Sequence, residues 1–496
     1  MQKRAPILIG FCYLFLVMTS YYILKPVRES FFLGEQGYKN LPVAHLLVLT
    51  GTFFTMLLYS WAARKFGPAK LVLFANIFFV CCIGVFWIVL TQFSDVPWIR
   101  KNMAWVYFCW VSVFAVFAVT LFWSVVHTIF SSAGGSKSYG IIGAGATVGA
   151  MTGGFLTQRL AEQVGTENLL LVAAGLLTPC LFLGWQLAKY SNARRSLVDD
   201  GNSKKLSGAE RDKAAQDKRE NYRSAMQIFR QSPYLCALGA IVFLTILISV
   251  FDDYRGGKII SEAFPSRSVA AAEATADQAA GAVPDKASEL NGSEPSPAEL
   301  DATVKSEESA PELTREQAGN SRTAFFGKIY FYTNVIGLFF SFVLTGPVQT
   351  RFGPAPGMFL YTIAILATGV AFLIQPSIQV VFWASVVVQS VSYSIFQWSR
   401  ELLYTVTTAE EKFVAKGVID TFLFRAGAAG AAITLLAAAK IGVTEQFPDG
   451  ILTHATRQMS YITIPAAFVM MALIWWVSKR FAEKVKSAAK PLATQK

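Results

Sequence analysis

Three charged side chains, Lys25, Arg28 and Glu29, stand inside an apolar N-terminal run, ILIGFCYLFLVMTSYYILKPVRESFFL. Spacings of three and four place them on one face of a helix. An arginine fork and a lysine ammonium bind carboxylate or phosphate oxygens, and a neighbouring carboxylate can hold or pass a proton. A second set lies in SRELLYTVTTAEEKFVAKGVIDTFLFRAG, from Ser399 to Gly427. Arg400, Glu401, Glu410, Glu411, Lys412 and Lys416 separate two apolar runs there, and Asp420 and Arg425 stand inside the second run. Lys416 and Asp420 are four apart and are expected to pair on one helical face. Arg425 lies about two turns, or ~13 Å, into its run. A lone arginine at such a place costs at least ~2.5–3.5 kcal/mol on insertion scales, so an acid or a wet cavity is expected beside it. A purely structural Arg–carboxylate pair and a cavity cation both meet that condition. Asp252, Asp253, Arg255 and Lys258 follow another apolar run, and Lys328 opens one more. For these an interfacial ion pair and a substrate contact are both open.

Other chemistries lack their residues. Only three histidines occur, His45, His127 and His454. There is no CxxC pair, nucleophile triad or Walker loop, and neither a metal site nor a cofactor is indicated. The six cysteines, Cys12, Cys81, Cys82, Cys109, Cys180 and Cys236, all lie in apolar runs and read as small packing residues. GIIGAGATVGAMTGG from Gly140 imitates a dinucleotide fingerprint, but its glycines run GxGxxxG and no strand precedes it. Gly145, Gly149 and Gly153 fall every fourth residue, which makes a smooth face for close helix packing. His127 is a lone ring near the end of its apolar run, where an interhelix hydrogen bond is expected ahead of proton coupling.

The elements that must position these charges are membrane spans. The chain of 496 residues is 53% hydrophobic and only 15% charged, against roughly 25% charged in soluble domains. Apolar runs of about 20 residues recur along it. Twelve spans are expected, at 7–33, 43–63, 71–91, 103–130, 139–160 and 168–188, then 234–252, 324–347, 357–375, 378–399, 417–439 and 459–478. The expected fold class is all-α, with two six-helix halves over 1–188 and 234–496 joined by a basic linker at 189–233. The N-terminus has the basic start and apolar middle of a signal peptide but lacks a small-x-small cleavage site, and it reads as a retained first span. The linker carries eleven Lys and Arg and the tail from Lys479 carries six. Positive charge stays inside, so both termini and the linker are expected on the cytoplasmic side of an inner membrane. That assignment also explains the net charge of +12 without nucleic acid. Residues 262–323 carry twelve acids against five bases in an Ala-, Glu-, Ser- and Pro-rich stretch. That composition is expected to be a disordered insert on the other face.

An internal repeat supports two halves. GTFFTMLLYSWAARKFGPAK from Gly51 aligns with GLFFSFVLTGPVQTRFGPAP from Gly337. The KFGP and RFGP turns fall after the second span of each half, which is the parallel-repeat plan of the major facilitator superfamily. Phe122-Trp123-Ser124 and Gln397-Trp398-Ser399 end the fourth span of each half in a similar way.

Three segments carry a closer likeness: YYILKPVRESFFL, FWSVVHTIFSSAGGSKSYGIIGAGATVGA and RELLYTVTTAEEKFVAKGVIDTFLFRAG. On these the chain resembles the ATP:ADP antiporters of plastids and intracellular bacteria and their bacterial major-facilitator relatives. The likeness covers the spans but not the 262–323 insert. It implies nucleotide binding by Arg28 in the first span and an acid at Asp252 or Asp253 in span seven. Two departures stand out. The connection after span four reads AGGSKS, with only Lys137, where the family carries an acid. His127 stands where bacterial relatives carry an acid.

The leading expectation is therefore a carrier, not an enzyme, that exchanges nucleotides or another phosphorylated anion across the membrane. Lys25, Arg28, Asp252, Lys328 and Arg425 would bind substrate, and Glu29, Arg400, Glu401, Lys416 and Asp420 would gate or couple. Tyr21, Tyr22 and Trp398 could stack a base. Surplus positive charge in an empty cavity would resist closure, and anion binding would relieve it, which gives obligate exchange. The competing expectations are a proton-coupled permease titrating Glu29, Asp420 or His127, and a non-transporting membrane scaffold or sensor. Membrane lipid is the other expected contact, and no obligate protein partner is implied.

Overall fold

A computed structural model describes residues 4–66, 68–130, 136–203, 225–265, 313–408, 411, 416, 418–440 and 451–493. The described residues are helical almost throughout. The first six helices are α1 Arg4–Gln36, α2 Leu41–Phe66, α3 Pro68–Gln92, α4 Pro97–Ile129, α5 Ser136–Val164 and α6 Leu169–Ser203. A short helix, Ala225–Gln231, leads into α7 Pro233–Ala263. Then come α8 Arg315–Phe352, α9 Ala355–Ile374, α10 Ile378–Val406, α11 Phe424–Lys440 and α12 Ile451–Ala493. Among the described residues ten helices are long and apolar enough to cross a membrane, and the chain is a multi-pass membrane protein. The expected spans at 43–63 and 417–439 fall on α2 and α11.

The helices pack as two groups. In the first, α1 lies against α4, α5 and α6, and α3 against α4 and α6. In the second, α7 lies against α11 and α12, and α9 against α10 and α12. One buried apolar core centres on Phe108, Phe114 and Phe122 of the first group and reaches Ile259, Phe372 and Val381 of the second, and another surrounds Tyr361, Phe396 and Met470. The groups meet chiefly where α5 and α1 pack on α8 and α2 on α11. The ends joined through Ala225–Gln231 define a linker face, and the opposite ends a distal face.

The glycine stripe has the expected use. A Cβ at Gly145 would stand 2.6 Å from Phe11 O, one at Gly153 2.5 Å from Thr19 O, and one at Gly149 would strike Phe15 O. Backbone therefore touches backbone along one line between α1 and α5. Gly427 does the same for α11, with Phe243 O at 2.6 Å. The RFGP turn holds Gly353 at φ 72°, in the left-handed region that a side chain disfavours. Pro26 lies inside α1, which runs on past it to Gln36.

Two boundaries differ from expectation. Span seven was expected to end at Asp252, yet α7 continues to Ala263. The charges after Val250 therefore lie within a helix. The insert was expected to reach residue 323, yet α8 starts at Arg315. Thr314 caps it, accepting from Gln317 N while the Gln317 side chain accepts from Thr314 N. That reciprocal box satisfies two orphan donors and sets the start. The rest of the insert, 266–312, lies outside the described residues, as do 204–224 of the linker and 131–135 after α4.

Among the described residues the second group holds three π turns: Phe340–Thr345 in α8, Ser392–Phe396 in α10, and Ile419–Leu423 leading into α11. Such turns cluster at functional places because they free backbone groups and re-aim side chains.

Candidate functional site

Charged side chains from both groups converge between α1, α2, α7, α8 and α10. They surround a cavity of about 80 Å³ lined by Arg28, Glu29, His45, Asp252, Asp253 and Tyr330, among others. Arg28 pairs with Glu29, donates from Nη1 to Ser112 Oγ at 2.7 Å, and lies 4.6 Å over the Phe108 ring. Its Nε is buried and has no partner. Lys25, one turn earlier, sits 4.1 Å over the Tyr330 ring and makes no ion pair among the described residues. Tyr330 belongs to α8, so this contact joins the two groups. Asp253 faces the cavity with a side chain 59% exposed, and its Oδ2 stands 4.0 Å from His45 Nε2. That contact also joins the groups, from α7 to α2.

Below this cluster a vestibule of about 1470 Å³ opens toward the linker face. Its walls are Trp123, His127, Phe130 and Tyr139 on one side and Phe342, Tyr393, Trp398 and Gln349 on the other. Among the described residues no Lys, Arg, Asp or Glu lines it. Ser341, Phe342, Thr345 and Tyr393 come from the π turns of α8 and α10. Tyr393 lies within electrostatic reach of Tyr21, Tyr22 and Asp253, which links the aromatic vestibule to the charged cluster. The vestibule is neutral and ring-lined among the described residues, and the cluster beyond it holds an ammonium with no ion pair among those residues and a partly committed guanidinium. A molecule with a flat uncharged part and an anionic part fits both regions.

The nucleoside transporter NupG has a similar structure at 12% identity, TM-score 0.56, over 94% of this chain and 98% of that one. A D-xylose-proton symporter matches at 10% identity, TM-score 0.56, over 94% and 96%. An auto-inhibited POT family peptide transporter matches at 10% identity, TM-score 0.57, over 95% and 96%. This is the major-facilitator fold. Neither a protein-family model nor a curated protein sequence matches the chain.

Within that major-facilitator frame the expected site residues fall into three places. Lys25, Arg28, Glu29 and Asp252 line or adjoin the central cluster. Asp252 is committed elsewhere, because its carboxylate pairs with Arg255. Lys328 does not join the cluster: it is exposed, 5.3 Å over the Phe382 ring. Arg425 flanks the cluster, within electrostatic reach of His45, and makes no ion pair among the described residues.

The remaining four form clips within the second group, near the linker face. Lys416 does not pair with Asp420. Its Nζ lies 2.6 Å from Glu401 Oε2, and Asp420 pairs with Arg400 at 3.5 Å. The physical reason is the π turn at Ile419–Leu423, which departs from i,i+4 geometry, together with two partners offered by the end of α10. Glu410 and Lys412 lie outside the described residues. Because both pairs join α10 to the approach of α11, they tie neighbouring helices of one group, not the two groups. His127 contacts Trp123 and Tyr139 by its ring face and edge.

Two features escaped the sequence, and a third, Arg255, was singled out there without its burial or its partners. Arg255, 1% exposed, is held by Asp252, by Ser460 Oγ at 3.2 Å and by the Phe372 ring at 3.9 Å. It repeats the setting of Arg28: each sits on the first helix of its group, beside an acid, a serine and a phenylalanine. The His45–Asp253 approach joins helices far apart in the chain. The other feature that escaped is a group of carboxylates and arginines on the distal face, around Glu35. Only the Asp252–Arg255 spacing of three could have been read in advance.

Proposed function

We propose that this protein is a secondary transporter that exchanges nucleotides, or another phosphorylated anion, by alternating access. The observation that carries the reading is the siting of Lys25 and Arg28 between the two groups, at the closed end of an aromatic vestibule. Among the described residues Lys25 has a ring but no carboxylate partner, so a phosphate oxygen would meet an available ammonium. Arg28 keeps donors beyond those used by Glu29 and Ser112. The vestibule offers Trp123, Tyr139 and Trp398 to a base. The pocket does not carry a surplus of positive charge, because Glu29, Asp252 and Asp253 offset Lys25, Arg28 and Arg255. Obligate exchange therefore rests on Lys25, which among the described residues makes no ion pair, with Arg425 at the flank of the cluster. The fold neighbours carry other substrates, and fold likeness leaves the choice of cargo to this site. The linker face is proposed to be cytoplasmic, on the charge of the linker and tail.

The test is exchange in proteoliposomes loaded with ADP and given external labelled ATP. Exchange should need internal nucleotide and no proton gradient, and Lys25→Ala should reduce it at least about tenfold. Equal uptake into empty vesicles, or full activity of Lys25→Ala, would sink the reading. A second reading is favoured by the His45–Asp253 approach across the groups: a proton-coupled permease for another solute. Flux driven by a pH gradient and lost in Asp253→Asn would select it.

A further inference from the structure

On the distal face one carboxylate is shared between the two groups. Glu35, at the end of α1, has a side chain only 4% exposed. Its Oε1 accepts from Arg100 Nε of α4 at 3.2 Å, and its Oε2 accepts from Arg315, the first residue of α8. Arg100 also donates from Nη1 to Glu167 Oε1 at 2.7 Å, in the α5–α6 turn. Alongside, Thr166 donates from N and Oγ1 to Asn320 Oδ1 at 2.7 and 2.8 Å, and Ser30 Oγ donates to Gly319 O at 2.8 Å. Each of these last bonds ties the first turns of α8 to the first group. They border a cavity of about 450 Å³. At the other end of the molecule the vestibule stands open.

We propose that Glu35 is the latch of the distal gate, with Arg100 its fixed partner and Arg315 the partner that leaves. Two differences between the arginines support these roles. Arg100 belongs to the same group as Glu35 and is itself anchored by Glu167. Arg315 belongs to the other group and is 35% exposed, so water can solvate it on release. When Arg315 departs, Glu35 keeps Arg100 and is not stranded as a lone buried charge. A buried carboxylate with Arg315 as its sole partner would be far harder to release. Arg100 thus makes the latch reversible. Neither residue touches the central cluster, so the proposal stands whatever the cargo.

The test reads accessibility and needs no substrate. Ser385→Cys on α10, which lines the central cavity, is placed in a chain whose six native cysteines are replaced. A membrane-impermeant maleimide is then added from each side of oriented vesicles. Arg315→Gln should raise distal labelling of position 385 by about tenfold and lower labelling from the linker side. Glu35→Gln should do the same. Arg100→Gln should not raise distal labelling, because it leaves Glu35 bound to Arg315 alone. The proposal is overturned if Arg315→Gln leaves distal labelling unchanged, or if Arg100→Gln raises it as much. Arg315→Gln decides the matter should Glu35→Gln fail to fold, since its partly solvated side chain holds no other ion pair among the described residues.

Discussion

Removing the carboxylate of Asp252 should destabilise the second helix group, and removing Arg255 as well should restore most of the loss. The guanidinium of Arg255 is 1% exposed, and among the described residues Asp252 is its one carboxylate partner. Stranding a buried charge by deleting its partner costs ~3–5 kcal/mol. The Asp252 side chain is 23% exposed beside a cavity, so solvent weakens the pair and the lower end, about 3 kcal/mol, is expected for Asp252→Ala. Arg255→Leu leaves Asp252 able to hydrate from that cavity, and its cost is about 1–2 kcal/mol, part of it lost packing on Phe372. The double variant strands neither charge. It should lie within about 1 kcal/mol of the parent, which makes the coupling between the two sites some 3 kcal/mol. Denaturant unfolding of the four proteins in one detergent measures the cycle. A double variant as unstable as the sum of the singles would refute the pairing as the reason Arg255 is buried. The same cycle separates roles for Asp252. If its work is to hold Arg255, the double variant recovers exchange along with stability. If it contacts substrate, stability returns and exchange does not.

Two further outcomes follow from backbone contacts. Gly149→Val should cost about 1–3 kcal/mol by forcing α5 off α1 at Phe15 O, whereas Gly143→Val, at a position open to space, should change unfolding by less than ~0.5 kcal/mol. Gly327→Ala, whose Cβ would stand 2.7 Å from Gln158 N, should slow labelling of Ser385→Cys from both sides; faster labelling from one side alone would assign that contact to the latch instead.

Much of the architecture was legible because it rests on periodicity. Apolar runs placed the helices, the Gly51 and Gly337 repeat placed the turns, and glycines every fourth residue placed α5 on α1. The site was less legible. Lys25, Arg28 and Glu29 announced themselves as charges inside an apolar run, and the structure groups them as their spacing suggests. Lys328 announced itself in the same way and points elsewhere, since its position in a run carries no information about which face of the bundle it occupies. Arg315 and Arg322 were absorbed into the acidic insert, whose composition hid the Thr314–Gln317 box that starts α8. Glu35, Arg100 and Glu167 stand 65 and 67 residues apart, and no local pattern relates them. The three π turns leave no periodic trace either, and one of them redirects Asp420 from Lys416 to Arg400.

The contact between α5 and α8 gives the latch and the vestibule a mechanical relation. At Gly154 a Cβ would stand 2.7 Å from Phe331 N, and at Gly327 one would stand 2.7 Å from Gln158 N. The two groups therefore touch backbone to backbone there. Side chains that interdigitate resist sliding because packed interiors transmit strain, whereas a glycine seam lets one helix roll on the other with little repacking. Along α8, Arg315 lies twelve residues before Gly327 and Leu338, the first vestibule residue of that helix, eleven after it. At 1.5 Å per residue the two arms are about 18 and 17 Å long. A roll about the seam that draws the vestibule walls together thus displaces Arg315 from Glu35 by a comparable distance in the opposite sense. Closing one end and opening the other are then a single motion. On the proposed latch, the strength of the Glu35–Arg315 contact would set the equilibrium of that motion and the smoothness of the Gly154–Gly327 seam its rate.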